Sequence, residues 1–178
     1  YVLGRLGATV RLASAIGRDP LGDLMAGWLA AAGVDLALLA RRADSATSTT
    51  AVVTDDAQHQ IAFHHAGAYA TTAPADLPAG WDVGLAALLI TSFPLMTGLR
   101  GAGYAVMLHA AKARGAITAV DIGPAIGQAA TLDEMRPLLP LIDYLIGNEH
   151  ELAVYAGSVD SAVAASLAGG AANIIVKR

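Results

Sequence analysis

The stretch YLIGNEHELAVY, residues 144–155, changes its periodicity halfway along. Tyr144 to Ile146 is an apolar run of strand character, Asn148 is a residue type that caps helices, and Glu149 to Tyr155 carries apolar side chains at helical spacing. Outward from this point the alternation repeats. Before it come a strand over Leu85 to Thr91, a helix near Gly101 to Arg114, a strand over Ile117 to Asp121 and a helix near Leu132 to Leu139. After it come a helix near Ser161 to Leu167 and the apolar run Asn173 to Val176. Strands alternating with helices in this way are joined by right-handed crossovers into a parallel sheet, expected here to be covered by helices on both faces. Ligands of such sheets bind beyond the carboxyl ends of the strands.

The first part of the chain has a different pattern. Tyr1 to Leu6 reads as the end of a helix stopped by Gly7, Ala8 to Ile16 as a strand, and Asp19-Pro20 as the cap and first residue of a helix that runs to Gly33. Val34 to Arg41 is a short strand. Thr47 to Thr54 and Gln58 to His64, joined by the turn Asp55-Asp56-Ala57-Gln58, form a hairpin. A hairpin inserted in an α/β chain is expected to be a flap, so residues 47–67 are read as a β lid on a core of residues 8–46 and 68–178.

Composition narrows the function. With 178 residues, 55% of them hydrophobic and 15% charged, the chain can bury a real core. Its apolar runs are far shorter than the roughly 20 residues that span a bilayer. Eleven Lys and Arg are spread thinly and the net charge is −4, which disfavours nucleic acid as a partner. No cysteine and no leader-like opening point to a disulfide framework or to secretion, so a cytoplasmic location is expected. The chain opens on Tyr and stops at Lys177-Arg178 directly after a strand-like run, and it reads as a fragment.

Several motifs occur in an order that resembles the ribokinase-like (pfkB-type) carbohydrate kinases. Gly7 and Gly17, with nine residues between them, match the tail of that family's N-terminal signature. Gly17-Arg18-Asp19-Pro20-Leu21-Gly22-Asp23 resembles its Gly-x-Asp-x-x-Gly turn. His64-His65-Ala66-Gly67-Ala68 resembles the end of its lid, Asp121-Ile122-Gly123-Pro124-Ala125 lies where it often has Asp-x-Asn-x-Arg or Asn-Pro-Ala, and Asn148-Glu149-His150-Glu151 matches its Asn-x-x-Glu. The resemblance implies a three-layer α/β/α fold with a mostly parallel central sheet and a small β flap. It implies ATP-dependent phosphorylation of a small carbohydrate, with ATP and Mg²⁺ as cofactors and a homodimer formed through the lid. It also implies that the catalytic Asp and its anion hole lie beyond Arg178, so that these residues alone are inactive.

Residue by residue, the resemblance gives His65, Gly67 and Phe93 to the sugar, Asp121, Asn148 and Lys177 to the nucleotide phosphates, and Glu151 to a Mg²⁺ ion through water. Simpler readings stand beside these. Asp19 is a helix cap with no catalytic role. Asp121 caps the following turn or contacts phosphate, and Lys177 is a solvated strand end or a phosphate contact. Asn148 and Glu151 form an N-terminal capping box or organise a cation, since a hard cation prefers carboxylate and water oxygens. His64 and His65 point to opposite strand faces and do not share one metal ion. Gly123 and Ala125 depart from the fuller motif, which removes an arginine contact to phosphate. An aromatic ring at Phe93 offers a stacking surface and counts against ribose as the substrate. A nucleoside kinase of the same fold and a non-catalytic nucleotide- or sugar-binding module remain alternatives. A dinucleotide-binding domain is disfavoured, because no Gly-x-Gly-x-x-Gly follows a strand.

Overall fold

The computed structural model describes residues 1–57, 60–124 and 127–178, and it divides into two compact units, Tyr1–Ala79 and Gly80–Arg178. Gln58, read as part of the lid, and Ala125, read as part of the motif after Asp121, lie outside the described residues.

In the first unit, helix α1 (Val2–Arg5) ends at Gly7, whose φ of 87° is the left-handed conformation expected of a helix stop. The strand expected over Ala8 to Ile16 is two strands, β1 (Val10–Arg11) and β2 (Ser14–Gly17). Helix α2 (Pro20–Ala31) follows, and the strand expected over Val34 to Arg41 is also two, β3 (Val34–Asp35) and β4 (Leu39–Arg42). β1 pairs with β3 and β2 with β4, both in parallel. The break has a local cause. The Asp35 carboxylate accepts a hydrogen bond from the Ala37 amide at 2.9 Å, and the Leu39 amide turns back to the Leu36 carbonyl, so the backbone leaves the ladder between the two pairings.

Asp19 joins three parts of this unit. It caps α2 by accepting from the Gly22 amide at 2.8 Å, and it accepts from the amide and the hydroxyl of Thr47 at 2.7 and 2.8 Å. The buried Thr47 hydroxyl in turn accepts from the Gly17 amide at 3.0 Å. The segment that leads into the lid is thereby fixed to the first turn of α2. The lid pairs β5 (Thr49–Thr54) with β6 (Gln60–His65) in antiparallel register, Ala51 opposite Phe63 and Val53 opposite Ile61. Those four side chains share one face, and Val53, Ile61 and Phe63 are 58–64% exposed. After the lid, Arg42 grips the carboxylate of Asp76 at 2.6 Å to each oxygen and returns the chain to β4.

The second unit is a four-stranded parallel sheet in the order β10-β9-β8-β7, made of β7 (Ala87–Ile90), β8 (Ile117–Asp121), β9 (Tyr144–Asn148) and β10 (Asn173–Lys177). Helix α3 (Ala102–Ala113) connects β7 to β8, a short α4 (Leu132–Met135) precedes β9, and α5 (Glu149–Ala156) and α6 (Val159–Ala168) precede β10. The helix expected to reach Leu139 stops at Met135 and resumes as a 3-10 turn, because Pro137 has no amide to continue it. Thr118, Val120, Leu145 and Gly147 are buried on one face of the sheet, whereas Leu89, Ile117, Tyr144 and Ile175 are exposed on the other. The parallel α/β architecture is the one expected, yet this unit covers only one face of its own sheet. The strands are added in chain order in a single direction, so successive right-handed crossovers return on the same side. Among the described residues no helix is long and apolar enough to cross a membrane.

The Thr47 and Gly22 amides hold the Asp19 carboxyl below its ordinary value. Because the ionised form is the one bound in the folded state, its contribution is complete above the unfolded value, near 4, and is lost as pH falls through the lower folded value. Asp19→Asn is therefore expected to lower the urea midpoint at pH 7, with the gap to the wild-type protein shrinking as the pH drops below about 4. A gap independent of pH would show that the charge is not what fixes this turn.

Candidate functional site

Asp121, Asn148 and Lys177 are the last residues of β8, β9 and β10. Asp121 pairs in register with Ile146, Ile146 with Ile175 and Asn148 with Lys177, which places all three polar side chains on the open face at the carboxyl edge of the sheet. One oxygen of Asp121 accepts from the Gly123 amide at 2.9 Å, and the other accepts from the Lys177 ammonium at 2.9 Å. Lys177 also lies 3.7 Å from the Glu151 carboxylate. The Asp121 hydrogen bond and the charge of Glu151 push Lys177 above the ordinary lysine range, against the opposing effect of partial burial.

Asn148 opens α5 and makes the complete capping box. Its side-chain oxygen accepts from the Glu151 amide and the Glu151 carboxylate accepts from the Asn148 amide, each at 2.8 Å. The second carboxylate oxygen of Glu151 lies over Gly123, where an added Cβ would overlap it. Glycine at 123 is thus the space that Glu151 occupies. Composition and spacing gave no hint of this contact; Gly123 reads in the sequence only as a departure from a motif.

The four residues assigned to phosphate and cation are therefore brought together, and the capping reading of Asn148 and Glu151 holds in full. Among the described residues no group of three His, Cys, Asp or Glu side chains is arranged to ligate a metal. Two carboxylates beside the Gly123 cradle still suit a hard cation that keeps its waters, because Glu151 is only 11% exposed and has one oxygen outside the cap.

The residues assigned to the sugar fare differently. His65 ends β6 exposed to solvent, and its carbonyl accepts from the Ser48 hydroxyl at 3.1 Å. His64 points the other way and is tied up by hydroxyls, with Nδ1 2.8 Å from Thr50 and Nε2 2.7 Å from Tyr69. Gly67 follows with φ of 58°, packed so closely on Ala46 and Ser48 that a side chain would collide with their backbone. Phe93 requires a correction. Its ring is fully buried and stacked on Tyr104 at 4.3 Å, and the Tyr104 hydroxyl donates to the Phe93 carbonyl at 2.8 Å. It is a core ring and offers no stacking face to a sugar. No local pattern signalled this, because the packing depends on Tyr104, 11 residues further along the chain.

The fold is of the ribokinase-like α/β class, and three solved structures share it. A PfkB protein from Polaromonas sp. JS666 is 24% identical with a TM-score of 0.79, over 98% of this chain and 62% of its own. A fructokinase from Xylella fastidiosa with bound ATP is 16% identical with a TM-score of 0.76, over 98% and 59%. A fructokinase from Vibrio cholerae O395 in a fructose, ADP and calcium ion bound form is 19% identical with a TM-score of 0.76, over 99% and 59%. The chain thus spans about three-fifths of the length of these structures. The model of the pfkB family carbohydrate kinases matches residues 1–178, and the chain belongs to that family. No curated protein matches the sequence.

Gly123→Ala is expected to force the Glu151 carboxylate out of its cap and lower stability by about 1–3 kcal/mol. The same substitution made in a Glu151→Ala background serves as the control for backbone effects alone, because the carboxylate it would strike is then gone. Equal losses in urea denaturation would mean that the contact with Glu151 contributes nothing.

Proposed function

We propose that the protein is an ATP-dependent sugar kinase of the cytoplasm, transferring a phosphoryl group to a hydroxyl of a small carbohydrate. The observation that carries this reading is the convergence of Asp121, Asn148, Glu151 and Lys177 at the carboxyl edge of the parallel sheet. Phosphoryl transfer asks a protein chiefly for positioning and for charge opposite the phosphates. Lys177 provides the positive charge, and Asp121 and Glu151 orient waters around a cation. Asn148 holds Glu151 in place. A Mg²⁺ ion bound with the nucleotide would neutralise phosphate charge. Bound ATP in one similar fructokinase structure, and ADP with a calcium ion in another, support the same cofactor class.

His65 and Gly67, at the base of the lid, are the residues proposed for the sugar side. The lid itself is proposed as the contact between two copies, because its face of Ala51, Val53, Ile61 and Phe63 is too apolar to remain in water on a free two-stranded ribbon.

Glu151→Gln keeps the shape of the side chain and removes its charge. In the full-length protein, assayed with ATP against a panel of hexoses, pentoses and adenosine, the variant is expected to need roughly 3- to 10-fold more Mg²⁺ for half-maximal turnover, with sugar affinity unchanged. Superimposable Mg²⁺ curves would leave Glu151 as a helix cap alone, and turnover of adenosine without any sugar would move the reading to a nucleoside kinase. Phe63→Glu is expected to shift the sedimentation of the full-length protein from dimer to monomer. A wild-type monomer at all concentrations would remove the lid from the interface.

A further inference from the structure

We propose that Lys177 is a built-in counter-ion that keeps the place of the divalent cation between Asp121 and Glu151, so that ammonium and cation exclude one another there. The inference rests on the reading of this corner as a nucleotide-cation site.

Two carboxylates from different elements face a single ammonium, at 2.9 and 3.7 Å. Glu151 is 11% exposed, and a carboxylate so shielded needs an opposite charge or several hydrogen-bond donors; one of its oxygens is satisfied by the Asn148 amide. Lys177 completes the neutralisation. Its own side chain is 45% exposed, so it reaches solvent without opening the core. A hydrated divalent ion would need for its waters the carboxylate oxygens that the ammonium holds, and the two like charges repel, so they compete for Asp121. Arrival of the cation therefore frees Lys177 at the moment phosphate oxygens come near, and its charge passes from the carboxylates to the anion. Without nucleotide the lysine lowers the affinity of the corner for bare cations. The neighbouring basic residue does not compete for this role, because Arg178 lies 3.4 Å from Glu149, outside the corner.

The test is Mn²⁺ binding to the full-length protein without nucleotide, followed by the electron paramagnetic resonance signal of the free ion. Lys177→Met is expected to bind Mn²⁺ about 3- to 10-fold more tightly than the wild type, and Lys177→Arg to restore wild-type affinity. Equal or weaker binding by Lys177→Met, or no binding by either protein, overturns the proposal. Should Lys177→Met fail to fold, acetic anhydride labelling of the wild-type protein decides: Mn²⁺ must raise labelling of Lys177 relative to Lys112, and unchanged or reduced labelling is the overturning result. Binding of a fluorescent ATP analogue is measured separately. Its absence would defeat the kinase reading while the comparison of Mn²⁺ affinities still stands.

Discussion

Parallel strands cannot be joined by a tight turn, and most of the second unit follows from that constraint. Each strand must be carried back to its starting edge by a crossover before the next can begin. All four strands consequently finish on one side, and whatever polar residues end them are gathered along a single line. Asp121, Asn148 and Lys177 meet because each is the last residue of its strand, although 56 positions separate the first from the last. The same constraint puts the helices on one face and leaves Leu89, Ile117, Tyr144 and Ile175 on the other. The lid obeys the opposite rule. Its two strands are antiparallel and local in sequence, so it needs no crossover and gains no helical cover.

The corner is built on satisfied backbone groups before any ligand is considered. The start of α5 would leave amides without partners, and Asn148 and Glu151 answer two of them reciprocally. A cap of this kind immobilises a carboxylate whose other oxygen stays available. The cap fixes where the Glu151 carboxylate lies, and the cation role proposed for it would depend on that placement. Arg100 acts in a comparable way further along the same edge. Its guanidinium grips Glu134 at 2.7 and 2.5 Å and reaches the Gln128 carbonyl at 2.6 Å, which anchors the chain that follows β8.

Periodicity made the second unit legible. Ile117 to Asp121 coincides with β8, and Glu149 to Tyr155 with all but the last residue of α5, because apolar spacing and an Asn cap are strong local signals. Asp19 was readable as a cap for the same reason, but its grip on Thr47 was not, since the two lie 28 positions apart. Three things escaped a reading of local pattern. The split of the early strands depends on an aspartate turn at Asp35, the burial of Phe93 depends on Tyr104 lying beneath it, and the need for glycine at 123 depends on where Glu151 points. All but the turn are contacts across the fold, invisible to spacing along the chain.

The overlap between position 123 and the Glu151 carboxylate also restricts how the sequence can change over time. Any side chain at 123 must find room that a glutamate at 151 already fills, so the two positions, 28 residues apart, are not free to vary independently. Shortening residue 151 opens the space but gives up the cap on the Asn148 amide, and enlarging residue 123 displaces the same carboxylate. Either change disturbs the same corner, so the effect of one depends on which residue stands at the other position.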